Sequence, residues 1–197
     1  MPASVPSGYH QTLYWRITEQ RRRLVILNLL SIPLTIVAGL ALTWIAAQIG
    51  GLLALERLEP IASRLVILII AIAVTLLLHE LAHGLTMQAF GARPQYGILP
   101  QALAFYATAP GYAFTRNQYL LVTLAPLISL SLLSILGMAL FSGSTVVVLL
   151  IVCATLNASG ASGDVWMAAL VARYPRAAYV IDERDGMRIF IPASESK

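Results

Sequence analysis

The chain has 197 residues, 58% of them hydrophobic and only 11% charged, with a mean hydropathy of +0.79. Soluble domains carry about 25% charged residues, so this composition excludes an ordinary soluble domain and points to the lipid bilayer as solvent. The net charge of +4 does not indicate nucleic acid, because the basic residues sit beside apolar runs and form no stripe with interleaved aromatics; anionic lipid head groups suit them better.

Residues 1–23 read as an N-terminal interfacial segment, with Tyr9, Tyr14 and Trp15 as membrane-surface anchors and His10 in water. The segment ends in Arg21, Arg22 and Arg23, and the apolar run behind it is too long for a cleavable leader. No charge occurs from Leu24 to Leu55, which predicts a first membrane helix over 24–49 with Pro33 inside it. A short polar segment with Glu56, Arg57, Glu59 and Pro60 follows. A second helix is predicted from Arg64 to Phe90, stopped by Gly91 and Pro94.

Residues 94–115 are uncharged but rich in Gly and Pro, and Leu103–Thr108 favours a strand. Extended backbone at membrane depth must line protein or a wet cavity. A re-entrant loop or short hairpin is expected there, with an ordinary interfacial loop as the alternative. Between Arg116 and Asp164 there is no charge. The run holds two more crossings, about 118–141 and 145–172, turning at Ser142-Gly143-Ser144. In the tail, Tyr179–Asp182 and Met187–Ile191 flank Arg184-Asp185-Gly186, an Asp-Gly signal for a small hairpin. The fold class expected is therefore an all-α integral membrane protein of about four transmembrane helices. Its parts are an interfacial segment (1–23), a membrane-embedded domain (24–172) and a tail with a hairpin (173–197). Cys153 is the single cysteine, so no intrachain disulfide forms. Counting arginines and lysines, both termini on the cytoplasmic side leave only Arg57 and Arg64 outside.

Near the end of the second helix stands His79-Glu80-Leu81-Ala82-His83. Residues four apart share a helix face, so two imidazoles can bind one Zn2+ while Glu80 reaches the water on it. Ionisable groups inside a membrane segment are costly and mark function by default; hydrogen bonds gluing helices together are the bland alternative. Catalytic zinc takes three protein ligands. Apart from Glu80, Asp164 is the one acid deep in a predicted span. Counted from the outer side, His79 and His83 lie 15 and 19 residues in, and Asp164 lies 19 residues in. All three therefore fall at similar depth in the cytoplasmic half. Asn157, two turns before Asp164, is a candidate to bind substrate or polarise the scissile carbonyl; interhelical hydrogen bonding is its alternative. Ser129, Ser131 and Ser134 have no base near them in sequence, which leaves little for a serine mechanism.

These motifs resemble those of the site-2-protease-type intramembrane metalloproteases. A closer likeness is to a bacterial and archaeal family of zincin membrane peptidases of unassigned function. That family's pattern runs His-Glu-x-x-His-Gly, then a Gly- and Pro-containing segment, then Asn-x-x-Gly-x-x-Gly-Asp. Here these are His79 to Gly84, residues 91–111, and Asn157 to Asp164, and the likeness spans about 64–191. It implies His79, His83 and Asp164 as zinc ligands and Glu80 as catalytic acid/base. The chain departs from the site-2 pattern in lacking a proline between Asn157 and Asp164 and in having Val165 after the aspartate. The function expected is a zinc-dependent intramembrane endopeptidase acting on a membrane-anchored peptide, with a non-catalytic zinc-binding scaffold as the alternative. A transporter would need polar groups along a whole path, which the first and third helices do not offer.

Overall fold

The computed structural model describes residues 4–16, 19–49, 61–99 and 104–193. The polar segment with Glu56, Arg57, Glu59 and Pro60 lies outside the described residues, as does Leu103 at the start of the expected strand. In chain order the elements are β1 (Tyr9–Arg16), α1 (Arg21–Gln48), α2 (Ile61–Ala89), β2 (Gln95–Leu99), β3 (Ala104–Thr108), β4 (Ala113–Thr115), α3 (Arg116–Leu140), α4 (Val146–Gly160), α5 (Ser162–Val171), β5 (Tyr179–Glu183) and β6 (Gly186–Pro192).

Three helices are long and apolar enough to cross a membrane, α1, α2 and α3, and a fourth span results if α4 and α5 count as one bent pair. Their outward residues are large and bare: Leu40 is 69% exposed, Ile69 66% and Leu140 80%. Each such side chain gains about 1.5–3 kcal/mol on leaving water, so a surface of this kind belongs in lipid. The expected single helix over 145–172 is interrupted at Ala161, whose N–H bonds back to Asn157 and Ser159 carbonyls. Gly160 and Gly163 flank the break, and glycine is a poor helix former.

The all-α expectation is corrected: the described residues hold six strands in two antiparallel sheets, one of four strands ordered β1-β6-β5-β4 and one of two, β2-β3. The C-terminal hairpin falls where the sequence puts it, β5 against β6. It is not isolated, because β1 pairs along the far edge of β6. The residues read as interfacial anchors are thus a strand, and Trp15 is only 4% exposed. The segment between α2 and α3 contains the expected hairpin, Gln95 opposite Thr108 through Leu99 opposite Ala104.

The chain divides into two compact units: residues 1–27, 80–125 and 163–197, and residues 28–79 and 126–162. Both divisions that concern the site fall inside unbroken helices, between His79 and Glu80 of α2 and between Ala125 and Pro126 of α3. The first unit packs the four-stranded sheet on a core containing Met87, Phe114, Tyr119, Val122, Val171, Val180 and Ile189. The second is helical, with Leu42, Ala46, Met138, Val147 and Ala154 at its centre.

The sheet fixes where α3 begins. β4 pairs with β5, and the very next N–H, Arg116, donates to the Ala178 carbonyl at 2.9 Å. A capping box then starts the helix: the Thr115 N–H donates to Gln118 Oε1 at 2.9 Å, and the Gln118 N–H returns to Thr115 Oγ1 at 3.4 Å. Tyr119 and Val122 are thereby held one and two turns from the sheet.

Candidate metal centre

The buried residues of α2 include Ala71, Thr75, His79, His83 and Met87. They recur every four positions, so one line along an otherwise outward-facing helix turns toward protein. Both histidines lie on it. Glu80, between them, is half-buried. Asp164 stands in the first turn of α5 and is 8% exposed, where the helix N-terminus favours a carboxylate.

His83 and Asp164 meet within the first unit, Nε2 to Oδ1 at 3.4 Å. His79, carried by the same unbroken α2, completes a group in which one donor atom from each of His79, His83 and Asp164 lies within 4.8 Å of the others. Zn–N and Zn–O bonds of about 2.1 Å at a tetrahedral angle separate two donors by roughly 3.4 Å. The His83–Asp164 pair already has that spacing. Two imidazoles and one carboxylate are also a common ligand set for catalytic zinc.

The other ring nitrogens are occupied, which sets the tautomers. His79 Nδ1 lies 3.0 Å from Asn157 Oδ1, and His83 Nδ1 lies 2.8 Å from the Val122 carbonyl oxygen. A carbonyl oxygen only accepts, so both Nδ1 atoms carry the proton, the tautomer in which Nε2 is the metal-binding atom. The residues present fit the metal.

Asn157 is placed differently from the substrate-facing expectation. It is 1% exposed, and its amide faces protein at both ends, Oδ1 toward His79 and Nδ2 donating to the Pro126 carbonyl at 3.1 Å. The interhelical alternative describes that geometry.

Sequence reasoning passed over a second buried acid. Asp182 on β5 is 8% exposed and accepts a hydrogen bond from Tyr119 Oη at 2.9 Å. Burial pushes its carboxyl up to about 7, partly offset by the hydroxyls of Thr108 and Tyr119. The signal was legible: Asp182 shares strand parity with the apolar Val180, a position facing the core.

The β2-β3 hairpin lies against α2 one residue past the second histidine. A Cβ at Gly84 would fall 1.9 Å from the Tyr96 hydroxyl oxygen, so the missing side chain is the seat for that ring. Tyr96, Ile98 and Phe105 share one face of the hairpin and are 50%, 57% and 41% exposed.

A family model described as "Putative zincin peptidase" matches residues 72–179, more than half of the chain, from within α2 to the first residue of β5. The chain belongs to that family. Membership carries a metallopeptidase class and zinc as its metal, and the matched span contains His79, Glu80, His83, Asn157 and Asp164. Among curated proteins and among solved structures, none matches the chain.

Proposed function

We propose that this protein is a zinc-dependent intramembrane endopeptidase that hydrolyses membrane-anchored peptides near the cytoplasmic face. The observation that carries the reading is the convergence of two imidazoles and a carboxylate beside Glu80, on a helix long and apolar enough to cross a membrane. His79, His83 and Asp164 would hold the ion. When bound, zinc supplies Lewis acidity, lowering the pKa of a coordinated water to about 7 and polarising a carbonyl.

The rest falls to the protein. Glu80, one residue after His79 and one turn before His83, takes the proton of the attacking water as its oxygen bonds to the scissile carbonyl carbon. It then returns the proton to the amide nitrogen as the C–N bond breaks, leaving a carboxylic acid, which keeps the water's other proton, and an amine. Membrane-embedded substrates are helical, and their carbonyls are hydrogen-bonded until the helix unwinds. The β2-β3 hairpin beside Gly84 offers backbone edges to an unwound segment, and its exposed Tyr96, Ile98 and Phe105 offer apolar contact. Arginine placement supports both termini on the cytoplasmic side.

The test is purified full-length Glu80→Gln protein, assayed for zinc content and for cleavage of membrane-anchored peptides in proteoliposomes. The expected result is wild-type zinc with cleavage lowered by about 10³-fold or more. Undiminished cleavage would overturn the catalytic role of Glu80. An intact cellular phenotype in the same variant would favour a zinc-binding scaffold instead.

A further inference from the structure

Proline is disfavoured inside a helix because it lacks an N–H and leaves the carbonyl four residues earlier without its donor. In α3 that proline is Pro126, and the carbonyl four residues before it belongs to Val122. This is the same carbonyl that receives His83 Nδ1 at 2.8 Å. Pro126's own carbonyl, in turn, receives Asn157 Nδ2 at 3.1 Å, and Asn157 Oδ1 receives His79 Nδ1 at 3.0 Å. Pro126 is among the fully buried residues. Each of these bonds lies within one of the two units, and α3 runs unbroken through the proline.

We infer that Pro126 is a positioning residue for the zinc centre: its missing N–H keeps the Val122 carbonyl open for the His83 ring, while its carbonyl steadies His79 through Asn157. The inference rests on the zinc reading above. An ordinary residue at 126 would supply a backbone N–H that competes with His83 for the Val122 oxygen. His83 would then lose the bond that fixes its tautomer and ring orientation. In membrane helices freed carbonyls are re-satisfied by neighbouring groups, and here the neighbour is a metal ligand. Partners of this kind typically contribute 10- to 100-fold to metal affinity. Pro33 in α1 is a built-in control: it is exposed and lies far in sequence from every candidate ligand.

The experiment measures zinc affinity of the full chain in detergent by chelator competition for wild type, Pro126→Ala, Asn157→Ala, the double variant and Pro33→Ala. The expected result is a 10- to 100-fold weakening for Pro126→Ala, with the melting temperature of the zinc-stripped protein unchanged or raised, because alanine is the better helix former. Asn157→Ala should weaken binding by a similar factor. Alanine at 126 keeps its carbonyl, so the two losses should multiply in the double variant. Pro33→Ala should bind as wild type does. Pro126→Ala within twofold of wild type, or a double variant no weaker than its worse parent, would overturn the inference while leaving the zinc centre standing. Wild type that takes up no zinc would end both. If Pro126→Ala cannot be purified, ¹⁵N-histidine NMR of zinc-loaded wild type decides. An Nδ1-protonated, Nε2-coordinated His83 supports the proposal, and coordination through Nδ1 overturns it.

Discussion

The two units of the molecule solve opposite problems. The described residues of the unit 28–79 and 126–162 are helical around an apolar core of Leu42, Ala46, Met138, Val147 and Ala154, and their buried polar groups, Thr75, His79, Ser134 and Asn157, include no carboxylate. The unit of residues 1–27, 80–125 and 163–197 buries carboxylates, an imidazole and a tyrosine hydroxyl beneath a four-stranded sheet. Lipid is a forgiving solvent for the first kind of structure, since a leucine facing a tail is interchangeable with another apolar group. Buried polar groups are unforgiving, because each needs its partner in place. Substitutions should therefore be felt very unequally at outward apolar positions and at buried polar ones.

The largest expected effect is at Asp164. Asp164→Ala leaves two imidazoles of a three-ligand set, and zinc affinity should fall more than about 100-fold, read by metal analysis after dialysis. Retained zinc at one equivalent would remove the aspartate from the site and erase the contrast between units. Next comes Gly186→Ala in β6. A Cβ there would sit 1.9 Å from the Trp15 carbonyl oxygen, backbone that cannot swing aside. Overpacking of this sort costs about 3 kcal/mol, which thermal unfolding in detergent would register.

Asp182 gives a smaller effect with a definite sign. Its carboxyl is raised from the ordinary 3.8 to about 7 by burial, so the folded state prefers it protonated. The stability it contributes is complete below about pH 4 and is lost as pH rises through about 7. Asp182→Asn, neutral throughout, should flatten that decline in a series of unfolding midpoints from pH 4 to 8; an unchanged slope would place the acid in a wetter setting. The smallest effect belongs to the outward apolar surface of the helical unit. Leu40 is 69% exposed, and Leu40→Ala should change the unfolding midpoint by no more than about 0.5 kcal/mol equivalent.

The pairing of His79 with His83 was the most legible part of the sequence, because helical spacing alone puts them on one face. Asp164 followed from counting depth along two helices, which works when an acid is nearly alone in an apolar run. The C-terminal hairpin was legible too, though for an incomplete reason. An Asp-Gly pair suggests a glycine turning the chain with positive φ, yet among the described residues the positive-φ glycines are Gly8, Gly91, Gly111 and Gly143. Gly186 is already in β6, and what it provides is room for β1 to approach. That approach is long-range, and so is β1 itself. Tyr9–Arg16 alternates weakly, carries polar residues, and lies some 170 positions from its partner strand, so no local pattern announces the pairing. The break at Ala161 and the hydrogen bonds of Pro126 were hidden for a related reason. A residue's composition tells which groups it lacks, but not which distant side chain takes advantage of the lack.

The four-residue recurrence along α2 also has a directional meaning. An α-helix turns about 100° per residue, so a step of four overshoots a full turn by about 40°. The line from Ala71 to Met87 therefore winds nearly halfway around the cylinder. One straight neighbour cannot cover a winding stripe. His79 and His83 face directions differing by about 40°, and each is steadied by a different segment of chain. A single helical hairpin could not serve this arrangement, because the stripe that carries His79 and His83 is met by more than one segment of chain.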